Sequence, residues 1–247
     1  MRVSTILELD NLSFSWPNQT QALFGPLNVN FEKGTITTLL GPNGTGKTTL
    51  LNVIAHRLPP STGTIKIGGQ TSNINDFNYM PQNSERLLFP HLTIRENIGL
   101  SKNSIGPQLS KDSIVISDLF PDKQVLDKYP DYCSGGQKQR TVLWRAISDI
   151  PNFPVTLLDE PFAQISQDVR PDIYGHFRTI VRASGAVVVL VTHDIPGALI
   201  IGDQVMTLSK GAPMIFNAST VNDAESFLLA SRLRDDIRRA AFFTADS

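Results

Sequence analysis

Apolar positions along the chain gather in three short runs: Thr35–Leu40, Val155–Leu158 and Ala186–Val191. The second and third are nearly all apolar and flanked by breakers, which predicts parallel strands covered on both faces. The first carries Thr35, Thr37 and Thr38 and is a weaker signal for the same element. A glycine-rich turn follows it, and then Lys47–Leu58. There Leu50, Leu51, Ile54, Ala55 and Leu58 fall on one helical face, and Pro59-Pro60 stops the helix. Strands alternating with helices predict an α/β core with right-handed crossovers. Near the start, Ile6–Phe14, Leu27–Phe31 and Thr64–Ile67 alternate over shorter runs, as in a small antiparallel sheet. From about Asn83 to Ser134 the chain is rich in Pro, Asn, Ser and Asp without a strong strand, which predicts a mostly helical insertion. It leads into a helix over Lys138–Ser148, where Leu143 and Ile147 share a face. In the tail, residues 222–247, Phe227, Leu229, Leu233 and Ile237 repeat at near-helical spacing among arginines. That pattern suits a terminal helix packed on the core or a basic helix lying on a membrane.

Composition narrows the class. The chain has 247 residues, 40% hydrophobic and 18% charged, a globular balance with length enough for a sizeable core. Lys and Arg number 22 against 23 Asp and Glu, for a net charge of −1. That argues against a mainly electrostatic nucleic-acid binder but leaves room for a local basic patch; no nucleic-acid partner is expected. Cys133 is the single cysteine, so no internal disulfide can form. The opening MRVSTILELD has acids at Glu8 and Asp10 and no apolar core, unlike a secretory signal. The strongest apolar run, Ala186–Val191, falls far short of the roughly 20 residues of a spanning helix. A membrane role is therefore expected only through a partner.

The turn after the first strand carries candidate chemistry. Gly41-Pro42-Asn43-Gly44-Thr45-Gly46-Lys47-Thr48 fits G-x-x-x-x-G-K-[ST]. Glycines let successive amides face phosphate oxygens, and the following helix adds its unpaired amides and positive dipole end. Lys47 offers a point charge for β- and γ-phosphates, and Thr48 an oxygen ligand for Mg²⁺. The second strand closes on Asp159 and Glu160. Acid at the end of a buried strand needs compensation. Either these residues cap the next helix, or Asp159 holds Mg²⁺ while Glu160, pointing elsewhere, orients or deprotonates a water. Lys47 upstream favours the second alternative. His193 ends the third strand at the same carboxyl edge, where open α/β sheets bind ligands, or is structural. Ser134-Gly135-Gly136-Gln137 opens a helix, as a second anion site or as a plain N-cap.

Taken together, these segments resemble the nucleotide-binding subunit of an ATP-binding cassette (ABC) transporter. GPNGTGKTT, residues 41–49 and so including Thr49, is similar to the Walker A motif, and CSGGQ to the family's signature motif. TLLDEP resembles Walker B with its catalytic glutamate, VTHD the switch-histidine segment, and Met80-Pro81-Gln82 the Q-loop. The resemblance runs from about residue 6 to 216 with the motifs in order. It implies a P-loop NTPase (RecA-like) α/β core with a small antiparallel β subdomain and a helical insertion, about residues 83–148, carrying the signature. Residues 1–221 would be one ABC ATPase domain and 222–247 a helical tail. It also implies ATP and Mg²⁺ as ligands, with Thr48, Gln82 and Asp159 on the metal, and Glu160, His193 and Gln82 catalytic. Trp16 would stack on adenine, unless it is a packed core aromatic.

Two copies would pair head to tail, each ATP lying between one chain's Lys47 turn and the other's Ser134–Gln137. Multi-spanning permease subunits would dock near Asn83–Asn97, at the cytoplasmic face of the cell membrane. The Glu160-Pro161-Phe162 wording resembles import cassettes of the nitrate, sulfonate and taurine type, which implies an external binding protein. Two departures stand out. Cys133 replaces the usual Leu of the signature, and Ser166, in Ala163-Gln164-Ile165-Ser166, replaces a carboxylate of the D-loop. Export, and a non-hydrolytic regulatory role motivated by Ser166, are the alternatives. A DNA-repair cassette is disfavoured because the interval from Gln82 to Ser134 leaves no room for a coiled-coil arm, and a ribosome-acting one because this chain carries a single cassette.

Overall fold

The computed structural model describes residues 5–19, 21–100, 122–208, 213–217 and 235. Six strands form the central sheet: β3 (Ile36–Leu40), β6 (Phe77–Met80), β7 (Val155–Asp159), β8 (Val187–Val191), β9 (Gln204–Thr207) and β10 (Met214–Asn217). Their order is β10-β9-β3-β8-β7-β6, parallel except for the antiparallel edge strand β10. A second, antiparallel sheet holds β1 (Thr5–Phe14), β2 (Phe24–Glu32), β4 (Thr62–Ile67) and β5 (Gln70–Thr71) in the order β2-β1-β4-β5. The α/β expectation and the small antiparallel sheet are both borne out.

The side-chain alternation of β8 assigns the two faces of the central sheet. Val188 and Leu190 join Leu158 and Met80 against α3 (Gly135–Asp149) and α4 (Arg170–Ser184). Val187, Val189 and Val191 join Leu157 on the other face, against α1 (Lys47–Ile54) and the antiparallel sheet. Thus α1 lies between the two sheets. The threonines of β3 do not stop it being a central strand: Thr38 is fully buried, and its hydroxyl donates to the carbonyl of Gln204 at 3.2 Å.

Register places the chemistry. Leu39 and Asp159 both pair with Val191, and Met80 pairs with Leu158. The residues following β3, β6, β7 and β8 therefore emerge at one carboxyl edge.

Three local differences from the sequence expectation have physical reasons. First, α1 ends at Ile54, not Leu58. The amide of His56 bonds to Val53 O and that of Arg57 to Asn52 O, with His56 at φ 55, a Schellman stop that takes effect before the prolines. His56 is held there by Nε2 at 2.8 Å from Ser72 Oγ. Leu58 still packs on the core as predicted. Second, α3 begins at Gly135, three residues early, because Ser134 caps it. Third, β6 and β9 complete the sheet through pairing with β7 and β3 without an apolar run of their own, and β10 adds the short run Met214-Ile215-Phe216 at the edge.

Among the described residues of 83–134 there is no strand, as expected. Short 3₁₀ turns span Ser84–Leu87, Lys123–Asp127 and Pro130–Tyr132, with α2 over Ile94–Gly99. Asn97, fully buried, accepts from Phe89 N and donates to the carbonyls of Phe89, Leu92 and Thr93. It ties the segment into a fixed shape against α3. A short helix α5 (Ile195–Ile201) follows β8. The tail at 222–247 lies outside the described residues apart from Asp235. Among the described residues, no helix is long and apolar enough to cross a membrane.

Candidate active site

The glycine turn leaves β3 and enters α1 through a backbone that side chains would block. At Gly41 a Cβ would stand 2.5 Å from Leu208 O. At Gly46, the residue before α1, φ is 94 and a Cβ would stand 2.9 Å from the Leu23 side chain. Between them, Pro42, Asn43, Gly44 and Thr45 make the turn, with the Thr45 hydroxyl donating to Pro42 O at 2.9 Å. The buried Lys47 ammonium donates to Gly41 O at 2.8 Å and Pro42 O at 2.7 Å, across the mouth of the turn. Burial pulls its pKa below the usual lysine value, while the charges of Glu160 and Asp159 push it back up. Thr48 and Thr49 stand in the first turn of α1. The Thr48 hydroxyl donates to Asp159 Oδ2 at 2.7 Å.

Asp159, 1% exposed, is the last residue of β7. Burial raises its pKa, against the Thr48 hydrogen bond and the charges of Lys47 and His193. At Glu160 the chain turns through φ 52, a left-handed conformation that is uncommon for a non-glycine residue. Its amide is held by Val191 O at 3.0 Å. The turn separates the two adjacent carboxylates, as the sequence led us to expect. Phe162 anchors the segment beyond this turn, its ring edge-on to Tyr174 at 4.9 Å and to Phe177 at 5.8 Å. Burial, and then the charge of Asp159, push the Glu160 carboxyl up to about 7. His193 Nε2 stands 3.2 Å from Glu160 Oε1 without hydrogen-bond alignment. Burial, and then Lys47, lower the imidazole pKa. A carboxyl that titrates near neutrality, beside a mostly neutral histidine, is suited to accept a proton from water.

The structure thus brings together Lys47, Thr48, Asp159, Glu160 and His193. Thr48 and Asp159 could hold a hard cation, but only with donors from elsewhere. Among the described residues no cluster of three or more His, Cys, Asp or Glu is set to bind a metal. Gln82 is exposed, two residues beyond β6 on the same edge. Trp16 is 41% exposed and edge-on to Phe14 at 5.0 Å, which removes the packed-core alternative. Phe14 stacks on Phe24, which would meet a Cβ at Gly46, so Trp16 rides on the sheet that backs the turn.

Ser134, Gly135, Gly136 and Gln137 stand apart. Ser134 Oγ accepts from Gln137 N at 3.3 Å, and Gln137 Oε1 accepts from Ser134 N at 2.8 Å, a reciprocal cap. Among the described residues no hydrogen bond or ion pair joins this helix start to the glycine turn. One residue that the sequence reading did not single out is Arg170, which bridges the segment after Glu160 to the residue after His193. Nothing local in the sequence marks it.

A profile of the family described as ABC transporter matches residues 24–163, more than half of the chain. The chain belongs to the ABC transporter family. This cassette is 32% identical over 222 positions to a thiamine import ATP-binding protein of Photobacterium profundum, covering 85% of this chain and 91% of the relative. It is 31% identical over 254 positions to an Fe(3+) ions import ATP-binding protein of Pectobacterium atrosepticum, covering 98% of this chain and 70% of the relative. Neither is named for the nitrate, sulfonate or taurine type. The fold matches that of an ATP-binding cassette solved as a dimer in a post-hydrolysis state with ADP and Pi. There the TM-score is 0.69 at 24% identity, covering 86% of this chain and 99% of that one. The ABC expectation from the ordered motifs is therefore borne out, for the family and for the fold.

Proposed function

We propose that this cassette is the ATP-binding and ATP-hydrolysing subunit of an ABC importer for a small solute. Residues 1–221 act as one ATPase domain. The observation that carries the reading is the constellation at the carboxyl edge: the Thr48–Asp159 pair at 2.7 Å, buried Lys47 at the glycine turn, and Glu160 3.2 Å from His193. The amides of residues 41–49 and the Lys47 ammonium bind the β- and γ-phosphates of ATP, and Trp16 covers the adenine. Thr48 Oγ1 and Asp159 Oδ2 fit Mg²⁺, which accepts few protein oxygens and completes its shell with phosphate and water; Gln82 contributes at its margin. When bound, the ion supplies charge neutralisation at the transferred phosphoryl group. Glu160, once ionised, takes the proton of the attacking water, and His193 holds the γ-phosphate against it.

The self-capped Ser134–Gln137 helix start serves the ATP of a second, head-to-tail copy. The dimer sits peripherally at the cytoplasmic face of the membrane, docked to multi-spanning permease subunits and supplied by an external substrate-binding protein. The names of the relatives, thiamine and ferric-iron import, support import over export.

Steady-state Mg-ATPase of the purified full chain tests the reading. Hydrolysis should be lost in Glu160→Gln while ATP binding by calorimetry persists, and binding should be lost in Lys47→Ala. A wild-type chain that binds Mg-ATP but never turns it over would favour the non-hydrolytic alternative that Ser166 suggests.

A further inference from the structure

We infer that Arg170 is a positioning residue that locks together the two loops flanking Glu160 and so sets the approach of His193 to Glu160 during hydrolysis. The inference rests on the ATPase reading and extends it to a residue outside the nucleotide site. Arg170 is the first residue of α4, and its side chain is largely buried, at 15% exposure. Besides its bond to the Tyr174 hydroxyl, the guanidinium donates to two different loops. Nε donates to Ile165 O at 2.9 Å, and one terminal nitrogen donates to Asp194 Oδ2 at 2.7 Å.

Each partner is itself fixed. Ile165 is 4% exposed, a peg in the core, five residues beyond Glu160. Its neighbour Gln164 lies near the start of α3, for a Cβ at Gly136 would stand 3.9 Å from Gln164 O. Asp194 directly follows His193 and accepts the amide of Gly197 at 3.1 Å, capping α5. On its Gly197 side this carboxylate is closely packed. A Cβ on Gly197 would come within 2.5 Å of Asp194 Oδ2 and 2.8 Å of Tyr174 Oη.

The chain from Glu160 to Ile165 and the link from Asp194 back to His193 are thus closed through one planar cation. A guanidinium fixes both the distance and the angle between two acceptors, which a lysine point charge cannot do. Since small misplacements of reacting groups cost rate far more than affinity, removing this bridge should act on turnover and spare ATP binding.

The test uses the full chain with Arg170→Met, Arg170→Lys, Asp194→Asn and the Arg170→Met/Asp194→Asn pair. Asparagine keeps an oxygen for the Gly197 amide, so the α5 cap survives. Expected is a fall in kcat on the order of tenfold for Arg170→Met, with KM for ATP within about twofold. Arg170→Lys should recover only part of the loss, and the double variant should be no slower than the worse single one. Thermal midpoints are measured on every variant. An active wild type with Arg170→Met within twofold in kcat overturns the inference, as do multiplying effects in the double variant or full recovery by lysine. If Arg170→Met does not fold, Asp194→Asn alone must show the kcat loss, and its failure to do so is equally decisive. An inert wild type instead overturns the ATPase reading itself.

Discussion

At the scale of single residues, the site is a set of charges kept apart by backbone geometry and tuned by burial. Asp159 and Glu160 are neighbours in sequence, yet the left-handed turn at Glu160 sends one toward Thr48 and the other toward His193. Burial and Asp159 keep the Glu160 proton on until about pH 7, above the ordinary glutamate value. The ionised form is the one that can accept a proton, so kcat/KM for ATP should rise with pH up to about 7 and level off above it. His193 is shifted the other way, below its ordinary value, so it is already neutral where Glu160 ionises and adds no opposing limb there. The check is the kcat/KM profile of the full chain between about pH 5.5 and 8.5. A flat profile across that range would place proton acceptance on another group.

At the scale of elements, the described part of the insertion between β6 and α3 packs Leu88, Ile94, Val125 and Leu126 on the core and adds polar ties. Asn97 makes four hydrogen bonds around Phe89–Thr93, and Arg95 pairs with Asp127 across to the 3₁₀ turn at Lys123–Asp127. The ion pair is exposed and contributes little. The asparagine is fully buried, so Asn97→Ala should lower stability by about 2–3 kcal/mol through unpaired backbone groups. Its ATP affinity should be unchanged, because no bond of Asn97 reaches the glycine turn. Denaturant unfolding paired with calorimetric titration checks both halves, and a loss of affinity would mean the insertion is coupled to the turn.

Elements of this kind also mark where sequence reading stops. The strands β7 and β8 and the turn-helix unit were legible because apolar runs and glycine spacing are local signals. The strand β6 was not, since Phe-Asn-Tyr-Met mixes polar and apolar residues and becomes a strand through its pairing with β7. The end of α1 was misread because its stop is a histidine in the left-handed region, held by a serine sixteen residues away, where the sequence offers prolines. The Arg170–Asp194 bridge spans twenty-four positions and leaves no periodic trace.

At the scale of the whole molecule, the glycine turn and the start of α3 both present helix amides, and among the described residues the turn is the one with Asp159, Glu160 and His193 beside it. The start of α3 closes its own cap through Ser134 and Gln137. Gln164, which a Cβ at Gly136 would meet at 3.9 Å, lies four residues beyond Glu160, so the helix start lies near the segment that leaves the site. On the proposed head-to-tail pairing, ATP on one copy's Lys47 turn completes its contacts with Ser134–Gly136 of the other. Glu160→Gln, which holds ATP unhydrolysed, should therefore run as a dimer in light scattering with Mg-ATP and as a monomer without it. Adding Ser134→Arg should abolish that dimer, because a bulky side chain fills the helix start. Each chain should still bind one ATP at Lys47, since that turn is untouched. The second variant separates nucleotide binding from pairing. If it stays dimeric, the α3 start is not the partner surface; if it loses ATP even as a monomer, the two anion sites are one site within a single chain and the pairing has been read wrongly.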